Sequence, residues 1–298
     1  MRYALDVQYR GKCYAGSQIQ FEDGKEIAEP TIQGEIEKAI STLIIGKKRC
    51  EVRKDFEKSK ALEDETLRNR RCERNDSEVN EAIYDCTGGV GKHKSRQVKT
   101  IFSGRTDKGV NSLGQTIHFD TDKNIVASDF IYHVNEILPD DISVSNLRVV
   151  PDRFHAQKSA KSRYYRYEFI NRRYKQAFDG DIPRVKFEVN IERMQSSLNY
   201  LLGEHDFSSF KSSGTLNPSK VCILTRAEAE RQGDRVFIHI EGNRFLYNMV
   251  RTIVGTLLEI EGHNLPAEHM KEVLEAKDRR KAGQTVSPYG LTLVEVKY

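Results

Sequence analysis

The chain has 298 residues, of which 38% are hydrophobic and 31% are charged, a balance typical of a globular protein at the polar end of the usual range. No stretch approaches the ~18 consecutive apolar residues that a membrane helix needs, and the net charge of +4 permits a local basic groove without requiring a nucleic-acid partner. The cysteines are odd in number and far apart, so we expect free thiols in a reducing compartment and no metal site: Cys13, Cys50, Cys72, Cys86 and Cys222.

The first residues predict a strand and not a signal or transit peptide. Apolar and polar side chains alternate over residues 3–9, as they do in a half-buried strand. Folded structure should therefore begin almost at residue 1, and we expect a cytoplasmic protein. Further on, Thr31 is a candidate N-cap for a helix with apolar residues on one face: Ile32, Ile36, Ala39, Ile40, Leu43 and Ile44.

The composition changes between Lys47 and Gln97, where roughly half of the residues are charged and no hydrophobic period persists. Such a segment offers too little apolar surface to build a core. We therefore predict a charged insertion at residues 47–97, and not a domain.

The remaining sequence predicts strands and helices in both halves of the chain, 1–150 and 151–298. Helices are predicted at 129–138, 191–202 and 246–261, and strands at 98–102, 115–120, 141–150, 164–171, 227–230, 236–240 and 291–298. Because these elements depart from strict βαβ alternation, they favour the α+β class.

A short loop after the strand at 98–102 is the first candidate for chemistry. Its residues Gly104-Arg105-Thr106-Asp107-Lys108-Gly109 place one carboxylate between two cations and two glycines. Neighbouring cations keep a carboxylate ionised, which suits a nucleophile or a base, and glycines permit close approach of a ligand. A charged surface turn explains the same residues, so both interpretations stay open at this point.

The second candidate is the run Arg163-Tyr164-Tyr165-Arg166-Tyr167. On a strand, Tyr165 and Tyr167 share one face, while Tyr164 and Arg166 take the other. Tyrosine and arginine side chains suit stacking on bases and binding of phosphates. Ordinary core contacts on one face and a solvated arginine on the other are the alternative.

The third candidate is Arg251, which lies beside the apolar stripe of the predicted helix 246–261. It shares a narrower strip with Gly255 and Glu259. A solvated salt bridge with Glu259 is the ordinary explanation, and a functional role is the alternative.

At this point the sequence resembles a known family. The run Ser103-Gly104-Arg105-Thr106-Asp107-Lys108-Gly109-Val110 is similar to the GRTD-x-GV signature of the TruA-type tRNA pseudouridine synthases. Other stretches resemble the same family in the same order along the chain: 9–18, 31–35, 154–156 with 163–167, 202–210, 243–251 and 290–291. One GRTD motif would be weak support, whereas matches in order over the whole chain outside 47–97 are specific.

The resemblance implies roles for individual residues. Asp107 corresponds to the catalytic aspartate, Tyr165 to the tyrosine that stacks on the target base, Arg251 to the arginine paired with the aspartate, and Arg105 to a residue that helps to flip the nucleotide out. We also expect Lys108 and Arg166 to bind substrate, together with Tyr165 and Arg105.

The resemblance further implies a fold, a reaction and partners. The fold would be a mixed, mostly antiparallel central sheet flanked by helices, with a cleft between two related halves. The reaction would isomerise uridines of tRNA to pseudouridine, in the anticodon arm near positions 38 to 40, without a metal or redox cofactor. We expect tRNA as partner, no membrane association, and a homodimer.

Three departures from the family pattern stand out: Ser17 replaces a usual aromatic residue, Asn111 replaces a usual histidine, and the insertion at 47–97 precedes the aspartate loop.

A non-catalytic RNA-binding protein on the same scaffold is the alternative, although RNA affinity alone does not need the combination of Asp107, Tyr165 and Arg251. A hydrolase with Asp107 as base lacks a second carboxylate or a metal-ligand cluster in a comparable loop. We expect the isolated histidines to be structural: His118 and His155.

Overall fold

The computed structural model describes residues 1–22, 25–26, 29–46, 97–212 and 219–298. The insertion predicted at 47–97 therefore lies outside the described residues, apart from Gln97. In the part of the chain that the structure describes, no helix combines the length and apolar character needed to cross a membrane.

In the described residues of the first half, most elements are strands, and two helices pack against them. The strands are β1 Arg2–Tyr9, β2 Phe21–Glu22, β3 Lys25–Glu26, β4 Thr100–Phe102, β5 Asn111–Asp120 and β6 Ile142–Val150. The helices are α1 Ile32–Ser41, which a π-helical turn extends to Gly46, and α2 Ala127–Ile137.

The second half repeats this composition with longer strands. Its strands are β7 Ser162–Asn171, β8 Arg184–Val185, β9 Gly203–Asp206, β10 Val221–Gln232, β11 Arg235–Gly242 and β12 Leu291–Lys297. Its helices are α3 Ile191–Asn199, α4 Met249–Gly262 and α5 His269–Ala276.

One sheet connects the two halves. Its strands follow the order β6-β1-β5-β12-β7-β11-β10-β9, with β4 also pairing with β5 and β8 with β7. All of these pairs are antiparallel except β12 with β5 and β8 with β7. This arrangement confirms the predicted α+β class with a mostly antiparallel central sheet flanked by helices.

The C-terminal strand β12 lies where the two halves meet. It pairs with β7 of the second half over most of its length and with β5 of the first half at only two positions, Thr292 opposite Asn111 and Leu293 opposite Ser112. Each half has its own hydrophobic core, one around β1, β5, α1 and α2, the other around β7, β10, β11 and α3 to α5. The boundary at residue 150 stays a prediction.

Local sequence explains where the helices begin. The predicted N-cap is confirmed, since the Thr31 hydroxyl accepts a hydrogen bond from the Gly34 amide at 3.1 Å. Asn190 caps α3 in the same way, through the Arg193 amide at 2.7 Å. Helix α4 begins at Met249, three residues later than predicted, because Asn248 has the left-handed φ of +60°.

Five of the strands and helices described above were missed in the sequence: the two-residue strands β2, β3 and β8, strand β9 and helix α5. Strand β9 consists of Gly203-Glu204-His205-Asp206, which has no apolar alternation. Helix α5 has eight residues, and its apolar face is recognisable only once it is packed against α3 and α4.

We predict that the N-caps of α1 and α3 contribute independently to stability. Thr31→Ala and Asn190→Ala should each lower the free energy of unfolding by about 1 kcal/mol, because each exposes an unpaired amide in the first helical turn. The two losses should add, since the caps belong to different hydrophobic cores.

Urea unfolding of the two single variants and the double variant measures this. Ser196→Ala is the control, because the Ser196 hydroxyl donates only within α3, to the Glu192 carbonyl. A loss of unfolding free energy in the double variant that is much larger than the sum of the two single losses would contradict independent contributions.

Candidate active site

A cavity of about 520 Å³ opens beside the loop that follows β4. Its walls come from that loop, from β7 and β12, and from the segment between β11 and α4. Its polar lining includes one carboxylate among arginines: Arg105, Asp107, Arg163, Arg244 and Arg251. Both halves of the chain therefore contribute to it, which is the predicted cleft.

The loop carrying Asp107 is anchored by the residues that follow β1. Ser17 and Thr106 exchange two hydrogen bonds, from the Thr106 amide to the Ser17 hydroxyl at 2.8 Å and from the Ser17 amide to the Thr106 carbonyl at 3.0 Å. The Thr106 hydroxyl also hydrogen-bonds the Tyr9 phenol at 2.8 Å. Since Ser17 is fully buried, its small hydroxyl side chain lets the two segments approach this closely.

The departure at Asn111 also has a structural explanation. The Asn111 side-chain oxygen accepts a hydrogen bond from the Gly11 amide at 3.0 Å, and the Gly11 carbonyl accepts one from the Gly109 amide at 3.1 Å. Gly109 has a φ of +85°, and a Cβ atom there would lie 2.9 Å from side-chain atoms of Pro288 and Tyr289. The end of the loop therefore requires glycine and is fixed on both sides.

Arg163 connects the start of the loop to the second half. Its guanidinium donates to the backbone carbonyls of Ser103 at 3.2 Å, Gln157 at 2.8 Å and Asn243 at 2.8 Å. Three chain segments thus share one cation, whose polar partners are carbonyl groups. The sequence does not indicate this function of Arg163, because its partners are backbone atoms that leave no pattern in the sequence.

Asp107 lies in the cavity with 28% of its side chain exposed, and its Oδ2 atom is 3.7 Å from Nη1 of Arg251. Burial raises the pKa of the Asp107 carboxyl above its ordinary value, and the charges of Arg251 and Arg105 oppose this rise. Neighbouring cations alone would have lowered the pKa. Burial is therefore the stronger effect here, and the charges of Arg251 and Arg105 limit the rise of the pKa.

Arg251 faces Asp107 from the first turn of α4. Its Nε atom donates to the Val286 carbonyl at 2.8 Å, and Nη1 donates to the Asn248 side-chain oxygen at 2.8 Å. Burial lowers the pKa of the guanidinium, and the charge of Asp107 raises it. The structure thus pairs Arg251 with Asp107, as the resemblance implied, and not with Glu259.

Tyr165 faces the cavity from β7, with its ring edge-to-face against Phe245 at a centroid distance of 5.1 Å. Burial raises the pKa of its phenol, so the hydroxyl keeps its proton at neutral pH. Tyr167 shares this face and lies in the core, where its hydroxyl donates to the Ser287 carbonyl at 3.0 Å. Tyr165 therefore offers the cavity an aromatic surface and a hydrogen-bond donor.

Two predicted substrate-binding residues are not brought into the cavity. The Arg166 guanidinium stacks on Phe237 at 5.3 Å, on the face of the sheet opposite Tyr165, because side chains alternate along β7. Lys108 is exposed and forms an ion pair with Glu29 at 2.7 Å. Arg105, in contrast, is exposed at the cavity and lies on the same loop as Asp107.

The two histidines of the sequence analysis make structural hydrogen bonds. His118 is buried, its Nδ1 atom accepts a hydrogen bond from the Ala156 amide at 3.1 Å, and burial lowers its pKa to about 4. Nδ1 of His155 accepts from the amides of Gln157 at 3.2 Å and Lys158 at 3.3 Å. Among the described residues, no group of three or more His, Cys, Asp or Glu side chains could hold a metal ion.

Comparisons with known proteins point to one family. The family model described as "tRNA pseudouridine synthase" matches residues 198–298. The tRNA pseudouridine synthase A of Thermoanaerobacter sp. (strain X514) is 39% identical over 210 residues, which cover 70% of this chain and 86% of that protein. The protein of the same name from Brevibacillus brevis is 40% identical over 223 residues, 74% of this chain and 88% of that protein.

A third relative extends the similarity to the whole chain. The tRNA pseudouridine synthase A of Colwellia psychrerythraea is 33% identical over 299 residues, covering 100% of this chain and 94% of that protein. Among solved structures, a chain of the "Cbf5-Nop10-Gar1 Complex" is 9% identical and covers 55% of this chain and 36% of that chain, with a TM-score of 0.29. That structural similarity is too low to carry weight.

We predict that Asp107→Asn stabilises the fold at neutral pH. A carboxyl whose pKa is higher in the folded than in the unfolded chain destabilises the folded state above both pKa values, and this cost disappears below the unfolded pKa. The neutral amide removes it, so the melting temperature at pH 7 should rise by about 1–3 °C.

Asp120→Asn is the matched control, for which we expect the melting temperature to change in the opposite direction. The hydrogen bonds from Arg2 hold the pKa of Asp120 below its ordinary value, so this carboxylate stabilises the fold above its unfolded pKa, and that contribution is lost as pH falls through the folded pKa. Asp120→Asn should therefore lower the melting temperature at pH 7. A melting temperature of Asp107→Asn below that of the wild type would contradict the unfavourable burial of Asp107.

Proposed function

Because the chain belongs to the tRNA pseudouridine synthase A family, we propose that its cavity is the catalytic site and that Asp107 is the nucleophile. The activity is the isomerisation of uridine to pseudouridine in tRNA. The observation that supports the site assignment is the position of Asp107, which is partly buried in a nucleotide-sized cavity opposite Arg251 and Tyr165.

The reaction needs few functional groups. The bond between C1′ of the ribose and N1 of uracil breaks, the uracil turns, and a bond forms between C1′ and C5. The C5 hydrogen leaves as a proton and N1 gains one, so no atoms are added or lost overall. These steps require a carboxylate nucleophile, a pocket that holds the detached uracil, and a base that accepts the C5 proton.

The pair of Asp107 and Arg251 supplies the first requirement. Asp107 attacks in its ionised form, which burial disfavours and the charge of Arg251 favours. Arg251 approaches at 3.7 Å, too far for a hydrogen bond, and the carboxylate of Asp107 accepts no hydrogen bond from the residues that the structure describes. Its lone pairs are therefore free for attack while its charge is balanced.

Tyr165 and Arg105 supply the second requirement. A target uridine must leave its stack to reach Asp107, and the cavity of about 520 Å³ has the size of a small-ligand pocket. The Tyr165 ring offers a stacking surface for the uracil, and its raised pKa favours stacking and hydrogen bonding over proton removal. Arg105, exposed on the loop, occupies the space that the flipped nucleotide leaves.

The finer features of function rest on the family resemblance. We propose uridines of the anticodon arm near positions 38 to 40 as the targets, a homodimer as the active assembly, and the cytoplasm as its location. Arg105, Arg163 and Arg244 around the cavity provide cations for the phosphates of such a substrate. Mapping of pseudouridine in an unmodified tRNA, together with light scattering of the pure protein, tests the targets and the assembly.

A non-catalytic RNA-binding protein is the second candidate. It would need the arginines but not a partly buried carboxylate among them, since a carboxylate opposes phosphate binding. The raised pKa of Asp107 is a cost that binding alone does not explain.

We predict that Asp107→Asn folds and binds tRNA but forms no pseudouridine. The amide keeps the shape of the side chain and lacks the charge and reactivity of a nucleophile. Affinity should persist because it comes from many phosphate contacts. The measurements are single-turnover conversion of unmodified tRNA and a filter-binding Kd at moderate salt, with Asp120→Asn as the active control.

Clear activity of pure Asp107→Asn protein would refute the nucleophile assignment. Wild-type binding without any conversion on a range of tRNAs would favour the non-catalytic alternative.

We predict that Arg251→Met lowers the rate of conversion far more than the affinity for tRNA. Without the guanidinium, the pKa of Asp107 rises further, because the largest opposing charge is gone. The acid limb of the pH–rate profile should move to higher pH, and the rate at pH 7 should fall by about 100-fold or more.

Arg148→Met is the control, since Arg148 forms its ion pair with Asp6 in the first half, outside the cavity. It should leave the acid limb unchanged. An Arg251→Met enzyme with a normal single-turnover rate would show that the ion pair is not needed.

A further inference from the structure

The arginine that faces Asp107 is held by acceptors from its own half of the chain. Nε of Arg251 donates to the Val286 carbonyl at 2.8 Å, and Nη1 donates to the Asn248 side-chain oxygen at 2.8 Å. The distance from the same Nη1 atom to Asp107 is 3.7 Å. Hydrogen bonds fix the orientation of a guanidinium, whereas an ion pair at 3.7 Å does not. The position of the guanidinium is therefore set before Asp107 or a substrate contributes.

From this arrangement we propose that Asn248 is a positioning residue for the isomerisation, holding Arg251 at the distance from Asp107 that the reaction requires. The inference rests on the proposed function of the Asp107 cavity. Asn248 provides the side-chain acceptor in this arrangement, while Val286 provides a backbone carbonyl. A substitution of Asn248 can therefore remove the side-chain acceptor and leave the backbone acceptor in place.

The backbone at Asn248 explains why asparagine occupies this position. Its φ of +60° lies in the left-handed region, which asparagine tolerates better than most residues. Asn248 is the N-cap of α4, which starts at the next residue. Its side chain lies beside the first helical turn, where Arg251 lies three residues further on.

Both ends of the Asn248 amide are engaged. Its Nδ2 atom donates to the Ser212 hydroxyl at 3.1 Å, and its oxygen accepts from Arg251. Because a guanidinium can only donate, the oxygen must face Arg251. A flip of the amide would therefore lose the hydrogen bond from Arg251.

The second acceptor, Val286, is fixed by close packing. The Gln284 carbonyl lies where a Cβ atom of Gly255 would be, 1.7 Å from that position. The Gly283 amide donates to the Thr256 hydroxyl at 3.0 Å. The loop carrying Val286 thus lies directly on α4, and Arg251 is held between this loop and Asn248.

An arginine fixed in advance benefits the reaction. Charged groups that are already oriented stabilise a reacting carboxylate without reorganising during the step. If Nη1 loses its acceptor, the guanidinium can rotate about its remaining hydrogen bond, and its mean distance to Asp107 increases. The consequence is a slower chemical step with unchanged affinity for tRNA.

Asn248→Gly tests the side chain without disturbing the backbone, because glycine adopts positive φ readily. The single-turnover rate should fall by about 10- to 100-fold, the effect of one charge-assisted hydrogen bond on a rate. The Kd for unmodified tRNA should stay within about twofold of the wild type.

The chain contains a matched control at the other end of α4. Asn264 also has a left-handed φ of +52°, and its side-chain oxygen also accepts a hydrogen bond from an arginine, Arg193. Asn264→Gly therefore makes the same change outside the cavity, and its conversion rate should equal that of the wild type. Ser212→Ala, which removes the other partner of Asn248, should lower the rate by less than Asn248→Gly.

A pH profile separates positioning from a general structural effect. In Asn248→Asp, a carboxylate would bind Arg251 and weaken its field at Asp107, whose other charged or titratable neighbours are Arg105 in its own loop and Tyr165 on β7. The acid limb of the rate should then move to higher pH, whereas loss of packing alone would lower the rate at every pH.

Each outcome decides the inference. A normal rate in Asn248→Gly, an equal loss in Asn264→Gly, or an unshifted acid limb in Asn248→Asp would overturn it. If Asn248→Gly does not fold, the pH profile of Asn248→Asp decides alone. A wild-type protein that forms no pseudouridine would instead refute the proposed function, which is a separate result.

Discussion

A partly buried carboxylate that needs a cation from the other half of the chain is the constraint on which the site depends. Burial raises the pKa of Asp107, and the charge of Arg251 opposes that rise. Asp107 follows β4 in the first half, whereas Arg251 belongs to α4 in the second. The two halves must therefore be held at a fixed separation, and strand β12, which pairs with both β5 and β7, provides that connection.

The loop carrying Asp107 is fixed by hydrogen bonds from several directions. Side chains from three segments hold it: Tyr9 at the end of β1, Ser17 in the segment after β1, and Arg163 in the second half, which donates to Ser103. Because these partners come from separate segments, the loop keeps its course even though it contains two glycines. A carboxylate positioned in this way needs little reorganisation to react, and Ser17 contributes because its side chain is small enough to be buried between the two segments.

The cavity combines groups that are fixed with groups that are exposed. Arg163 and Arg251 are engaged by carbonyl or amide oxygens, so their positions are set by the protein. Arg105 is exposed at the rim and remains available to a flipped nucleotide. In the proposed function, the interior of the cavity orients the carboxylate, and Arg105 at the rim contacts the RNA.

The class of the fold, most of the elements and the candidate residues of the site follow from the sequence alone. Hydrophobic periodicity gave helix α1 and the strand pair β10 and β11, the capping residue Thr31 gave the start of α1, and alternation along β7 separated Tyr165 from Arg166. These are local properties, because a helix or strand places neighbouring side chains by its own geometry. The GRTD loop identified Asp107 and, with the later motifs, its expected partner Arg251.

The packing of the folded chain settles which of these residues meet. It placed Lys108 against Glu29. It also placed Arg166 on the face of the sheet opposite the cavity, because the face of a strand that lines a cavity depends on what packs against the sheet. It showed burial outweighing two neighbouring cations at Asp107, since desolvation depends on atoms distant in sequence. It also revealed how Arg163 connects separate segments, through the backbone carbonyls of Ser103, Gln157 and Asn243. Such long-range contacts leave no local pattern, and so no reading of the sequence alone could have found them.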